Sequence, residues 1–166
     1  GTLYLYFDSK DALFREMVRA RVVSCVIAVE DLVRNHQGSV RELVAKLAHQ
    51  MWATVRDPAR ARIIRLVHSE LGNFPELARF YFDEVILRSR RVFEAVIQRG
   101  IEAGEFRRVD PRAAARALPL LLVHSAQSQC FFRDYDPTIP PDEQLFAGLL
   151  DLFLNGVLAQ PRATKA

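Results

Sequence analysis

Gly1-Thr2-Leu3-Tyr4-Leu5-Tyr6-Phe7-Asp8-Ser9-Lys10-Asp11-Ala12-Leu13-Phe14 opens the chain, and this stretch with its continuation to Asn35 decides the fold. A short aromatic helix is expected to stop at Asp8-Ser9, and a much longer amphipathic one to start there. Ser9 or Asp8 can cap the long helix, because a side-chain oxygen at that point reaches the unpaired amides of the first turn. Apolar residues then recur at Leu13, Phe14, Met17, Val18, Val22, Cys25, Val26, Val29, Leu32 and Val33. That spacing predicts a helical stripe sustained over about six turns. From Ser9 to Asn35 such a helix would be roughly 40 Å long, enough to belong to two modules at once.

The rest of the chain is punctuated as helices. Asn35-His36-Gln37-Gly38 ends the long one. Ser39 followed by Glu42 forms a capping-box pattern, with apolar Val40, Leu43, Val44, Leu47, Met51 and Val55 behind it. Asp57-Pro58 closes that helix and opens the next, since aspartate caps and proline fits the first turn. Pro75-Glu76 begins a long helix to about Glu102, with Gly104 in the usual C-terminal position. Asp110-Pro111 opens another to about Phe132, and a last one runs from about Pro141 to Leu158. No segment alternates with period two between turns. The expected fold class is therefore all-α.

Composition narrows the functions. The chain has 166 residues, a single-domain length, with 50% hydrophobic and 26% charged residues, as in an ordinary soluble globule. The net charge of +3 permits nucleic-acid binding without arguing for it. No uninterrupted apolar run is long enough to span a membrane. Cys25 and Cys130 sit in apolar helical stretches and read as free, buried thiols of a reducing, cytoplasmic compartment. His36, His49, His68 and His124 stand singly, without metal-ligand spacing, and nothing in the sequence calls for a cofactor. There is no nucleophile–base constellation and no phosphate loop. His68 and Glu70, two apart, fall on different faces of a helix, so an enzyme is not expected.

The opening fourteen residues resemble the end of the helix-turn-helix in the tetracycline-repressor-like (TetR) family of bacterial regulators. The matching residues are Gly1-Thr2-Leu3-Tyr4-Leu5-Tyr6-Phe7, Ser9-Lys10 and Ala12-Leu13-Phe14. The resemblance implies that Gly1 lies inside the recognition helix, with two further helices upstream. It divides the chain into residues 1–22, the end of the DNA-binding head; 23–160, a ligand-binding and dimerisation body; and a tail, 161–166. Ser69-Glu70-Leu71-Gly72-Asn73-Phe74-Pro75-Glu76-Leu77-Ala78 is similar to a helix junction in one branch of the family. By the resemblance, Thr2, Tyr4, Tyr6 and Lys10 contact operator DNA, the tyrosines and the lysine mainly through phosphates. Leu3 and Phe7 should pack inward on Leu13 and Phe14. The same tyrosines read alone are equally a half-buried aromatic cluster.

The body is expected to hold a small, mostly apolar effector. His49, Trp52, His68, Tyr81, His124 and Gln127 lie on or beside inward stripes and are the candidate pocket residues. Each by itself also fits a satisfied core position. Glu70 suits either a cationic ligand or a salt bridge. Pro119, inside a helix, removes an amide and should kink it, whether to widen a pocket or to follow packing. The last helix carries Leu145, Phe146, Leu149, Leu150, Leu152, Phe153, Leu154 and Val157, too broad an apolar surface for one neighbour. With Gly148 and Gly156 allowing close approach, Leu145, Phe146, Leu149, Phe153 and Gly156 are the candidate homodimer interface. The expected function is that of a ligand-responsive transcriptional regulator, by family default a repressor, with operator DNA, a small effector and a second copy as partners and no membrane. The alternative is a helical small-molecule-binding protein that does not bind DNA.

Overall fold

The computed structural model describes residues 9–132 and 134–157. Thr2, Tyr4 and Tyr6 lie outside the described residues, as do Leu3, Phe7 and the tail from 158. Among the described residues there are α-helices and no β-strand. The helices are α1 (Lys10–Val18), α2 (Ser24–Asn35), α3 (Val40–Arg56), α4 (Pro58–Glu70), α5 (Pro75–Tyr81), α6 (Arg88–Glu102), α7 (Pro111–Phe132) and α8 (Asp142–Val157). A π-helical turn, Arg19–Val23, joins α1 to α2, and another, Phe82–Leu87, joins α5 to α6. Each joined pair is one continuous helical run.

The ends form for the reasons the sequence suggests. Ser9 Oγ accepts from the Ala12 amide at 3.1 Å, Ser39 Oγ from Glu42 at 3.1 Å, and Asp57 Oδ1 from Arg60 at 2.8 Å. The start of α3 has a further cap that the local sequence does not announce. The Glu105 carboxylate accepts from the Val40 and Arg41 amides at 2.9 and 3.0 Å, tying the α6–α7 turn to α3. Gly104 adopts φ of +74° after α6, a left-handed conformation that glycine enters without steric cost.

The helices enclose two cores. The larger is built by α3, α6, α7 and α8 around Leu43, Leu47, Phe93, Ile97, Leu118 and Leu122. The smaller is built by α1, α4, α5 and the two π turns around Phe14, Val18, Val67, Leu77, Tyr81 and Val85. The run from Lys10 to Asn35 serves both. Phe14, Val18, Val22, Val23 and Val26 lie in the smaller core, while Val29, Leu32 and Val33 pack against the larger.

The sequence predicts an uninterrupted α-helix here, and the π turn is a departure with a readable cause. Phe14, Val18, Val22 and Val26 recur every four residues. An α-helix turns once in 3.6 residues, so such a series drifts off its face. A π turn, bonding i to i+5, absorbs the surplus. Leu77, Tyr81 and Val85, then Phe93, repeat the same spacing, and the second π turn lies among them. From the first turn of α2, Ser24 Oγ donates back to the Ala20 carbonyl of the π turn at 3.3 Å and Cys25 Sγ to that of Arg21 at 3.4 Å.

The two π turns touch each other. Just beyond them Arg88 stitches the two long runs together. It donates to both Glu30 oxygens, at 3.0 and 2.8 Å, and to Glu84 at 3.0 Å. At the other end of the bundle Arg56 pairs with Asp142 and donates to Gln129 Oε1 at 3.0 Å. Gln129 in turn donates to the Pro140 carbonyl at 3.3 Å, so α3, α7 and the start of α8 are held as one unit. The expectation of two buried thiols is corrected. Cys25 is partly open, and Cys130 is exposed because it lies on the outer side of the last turn of α7, whose inner side carries buried Gln129.

Two substitutions test this packing by urea titration. A Cβ at Gly100 would stand 2.2 Å from the ring of buried Phe106. Gly100→Ala is therefore expected to lose about 1–3 kcal/mol through overpacking, against the usual gain for alanine in a helix. Leu47→Ala, at a position with no exposure, is expected to lose about 2–5 kcal/mol. A stabilising Gly100→Ala would contradict the close approach of α6 to the turn that follows it.

Candidate functional site

The candidate pocket residues fall into three places. His68, exposed, meets buried Tyr81 at the edge of the smaller core: His68 Nε2 and the Tyr81 hydroxyl are 3.1 Å apart, with the rings edge to face. The pairing follows from sequence position. His68 ends the inward stripe of α4, and Tyr81 lies between Leu77 and Val85 on the facing helix. Tyr81 is buried, and burial pushes its hydroxyl up to about 12, so it stays neutral. His68 keeps one edge open to solvent while the other faces Tyr81. Partial burial pulls its pKa below the ordinary histidine value.

Trp52 packs against the larger core, and His49, three residues before it on α3, is exposed. Both pack on Phe146 of α8, with ring centroids 4.5 and 5.5 Å away. Gln127 lines a third place, a narrow crevice of about 20 Å³ where α4 stands off α7. Val55, Ala61, Ile64, Val123, Ala126 and Cys130 share its walls with the charged Arg65. His124, one turn away on α7, is exposed. The crevice has room for about one water, whereas small-molecule sites span about 300–1,000 Å³. A wider open hollow of about 660 Å³ lies over Glu30, Glu84, Arg88 and Arg91, and its walls are charged.

Of the candidate interface residues, Phe146 and Phe153 are buried in the larger core, each 6% exposed. Leu145 and Leu149 are half-buried, and Gly156 is exposed with open space beside it. The apolar side chains most open on these two helices are Leu152 on α8, at 68%, and Leu120 on α7, at 65%.

Lys10, the one candidate DNA contact within the described residues, starts α1. Its ammonium donates to Glu70 Oε1 at 3.2 Å and stands 5.4 Å from the Phe14 ring and 5.5 Å from the Phe74 ring. Asn73 donates to the second Glu70 oxygen at 3.2 Å. Asn73 and then Lys10 hold the Glu70 carboxyl below its ordinary range. Glu70 was open to a salt bridge or to a cationic ligand on sequence grounds, and the structure supplies the cation from the same chain.

Sequence reasoning missed the two π turns and the Glu30–Arg88–Glu84 clamp. The four-residue recurrence of buried positions was the available signal for the first. Of the second only the Glu84–Arg88 half, four residues apart, had a local signal; Glu30 and Arg88 are 58 residues apart. Among the described residues no group of histidine, cysteine or acidic side chains could hold a metal, and no helix is long and apolar enough to cross a membrane.

A helical linker run, two cores and a last helix pair with open apolar positions define an all-α body of the kind found in bacterial regulators. Residues 42–155 match the family described as AefR-like transcriptional repressor, C-terminal domain. That is well over half of the chain, and the chain belongs to this branch of the TetR family of transcriptional regulators. No curated protein matches the sequence. Among solved structures, one from Mesorhizobium loti assigned to the TetR-family transcriptional regulators is similar at 19% identity and a TM-score of 0.74, covering 95% of this chain and 80% of that one. A Rhodococcus protein of unknown function is similar at 16% identity and a TM-score of 0.74, over 93% of this chain and 76% of that one. The flavonoid-responsive regulator FrrA is similar at 25% identity and a TM-score of 0.60, over 98% and 81%.

The His68–Tyr81 contact gives a pH prediction. The folded-state pKa of His68 is lowered, so below the ordinary value near 6.5 the unfolded chain binds more protons than the folded one. Its contribution to stability is intact above that pH and is lost as the solution is acidified. Thermal midpoints measured from pH 7.5 downward should fall less steeply in His68→Phe than in the parent protein. Equal slopes would show that His68 titrates normally.

Proposed function

We propose that the protein is an effector-responsive repressor that binds operator DNA as a homodimer and is released by a small, mostly apolar molecule. The observation that carries this reading is the continuous helical run from Lys10 to Asn35, packed in one core at its DNA-facing end and on the second core at its other end. Family membership supports the regulator role. Thr2, Tyr4, Tyr6 and Lys10 are assigned to operator DNA, with Lys10 at a helix N-terminus where phosphate is favoured.

The effector is assigned to the space between α4 and α7. Three features support that place. The crevice is mainly apolar, with Gln127 and Arg65 as its polar members; Ile64 belongs both to its wall and to the smaller core; and α4 packs mainly on α1 and α3, meeting α7 through Arg65 and Phe131. An effector entering there widens the gap and presses α4 toward α1. Gln127 and Arg65 then serve as its polar handles. The similarity to a flavonoid-responsive regulator makes flavonoids, planar molecules with apolar faces and few hydroxyls, the first class to try.

The dimer is assigned to α7 and α8. Leu120 and Leu152 stand exposed on neighbouring helices, with half-buried Leu145 and Leu149 beside Leu152. A two-fold pairing of that face would set two reading heads about one DNA turn apart, roughly 34–36 Å.

One experiment tests the reading. The protein expressed from its complete gene is used to select duplexes from a random pool, and the affinity for the selected duplex is measured with and without a panel of flavonoids. Selection of a two-fold symmetric site is expected. The active flavonoid should weaken binding about 5- to 150-fold, the usual range of such coupling. The Leu120→Glu/Leu152→Glu variant should sediment as a monomer and lose the selected site. No selected sequence, or undiminished binding by a monomeric variant, would overturn the proposal.

A further inference from the structure

We propose that Glu70 is an electrostatic brake on the DNA grip, holding the Lys10 ammonium against the body and lowering its pull on a DNA phosphate. The inference rests on the assignment of Lys10 to phosphate contact.

The geometry is specific. Both Glu70 oxygens are engaged, one by Lys10 at 3.2 Å and one by Asn73 at 3.2 Å, so the carboxylate is fixed to the end of α4. The ammonium is bracketed by Phe14 and Phe74, whose rings meet edge to face at 5.8 Å. The Lys10 side chain nevertheless remains 51% exposed. An ammonium has three donors, and Glu70 takes one. An incoming phosphate can therefore reach Lys10, but it meets a fixed carboxylate immediately behind the cation.

Two opposite effects follow, and their sizes decide the sign. Glu70 positions Lys10, which favours binding. It also repels the phosphate, which opposes it. Positioning by a half-exposed ion pair is worth little, and the two aromatic rings continue to confine the lysine without it. Repulsion between unit charges about 6 Å apart in a water-like medium corresponds to about threefold in affinity for each contact. The repulsion dominates, so removing the Glu70 charge tightens binding.

The brake is placed to be regulated. Glu70 closes α4 two residues after His68, which reaches Tyr81 in the smaller core. The chain then turns through Asn73 and Phe74, both of which contact the Lys10–Glu70 pair or its rings. A molecule that shifts the last turn of α4 moves the carboxylate relative to Lys10. The occupancy of the body is then read as a change of charge beside the phosphate contact.

The test uses the protein expressed from its complete gene and a mixed-sequence duplex of about 30 base pairs, with binding followed by fluorescence anisotropy between about 50 and 200 mM NaCl. Glu70→Gln keeps the shape and the Asn73 partner. It should bind about three- to tenfold tighter at the low-salt end, for one or two contacts. The slope of log affinity against log salt should steepen by up to about one unit per protomer, as a freed lysine displaces its counterion. In a Lys10→Gln background the same change should do nothing. Weaker or unchanged binding by Glu70→Gln would overturn the brake. An equal gain in the Lys10→Gln background would also overturn it, since the effect would then be one of net charge. If the parent protein and Lys10→Gln bind the duplex equally, the assignment of Lys10 to DNA fails and the brake falls with it.

Discussion

The structure depends on one helical run being buried twice. From Phe14 to Val26 its apolar face closes the smaller core, and from Val29 to Val33 it lies on the larger. Each burial alone is ordinary packing. Together they impose a geometric condition, because the buried face must stay in line across a junction between two differently oriented neighbours. A regular α-helix cannot hold Phe14, Val18, Val22 and Val26 on one line, and the π turn at Arg19–Val23 restores the register. The partner run from Pro75 meets the same condition in the same way. The two π turns are in contact, and Arg88 clamps the runs together beside them. The border between the cores is thus the place where the backbone is least regular and the ion-pairing between runs is most specific.

That border also organises the candidate sites. The α4–α7 crevice opens along it, since α4 belongs to the smaller core and α7 to the larger. His68 and Glu70 end α4, one turned to Tyr81 and the other to Lys10. Short helices packed on one core cannot respond to the other without moving as bodies. In the proposed function the long run, anchored in both, would convert a change of spacing between cores into a change at its N-terminal end. Packed cores are bistable rather than continuously deformable, which favours two discrete arrangements over a graded one.

Much of the fold was legible because its signals are local. Serine and aspartate caps, prolines at Pro58, Pro75 and Pro111, and Gly104 after α6 fix helix ends through interactions within a few residues. The all-α class followed from those ends and from apolar periodicity. The site was less legible. Tyr81 was readable as an inward residue, but His68, read as pointing inward, is exposed at the core's edge, and the stripe did not say that it meets Tyr81 while His49 and Trp52 pack on Phe146. Periodicity gives the inward side of a helix and not the neighbour across from it. Phe146 and Phe153 read as interface because the apolar arc of α8 is wide, and burial against its own core takes the inner part of that arc. Lys10–Glu70 and Glu30–Arg88 join residues 60 and 58 positions apart and exist only through the fold.

The central claim is that the run from Lys10 to Asn35 moves as one body between the two cores. It is tested most directly by the distance between spin labels placed at Glu16→Cys in the two protomers, with Cys25 and Cys130 replaced by serine. Glu16 is on the exposed side of α1, so the label disturbs neither core. The distance would be measured on the selected duplex and again after release by the effector. The account predicts two separate distance populations differing by several ångströms, one for each condition. A single unchanged distance in both would contradict it.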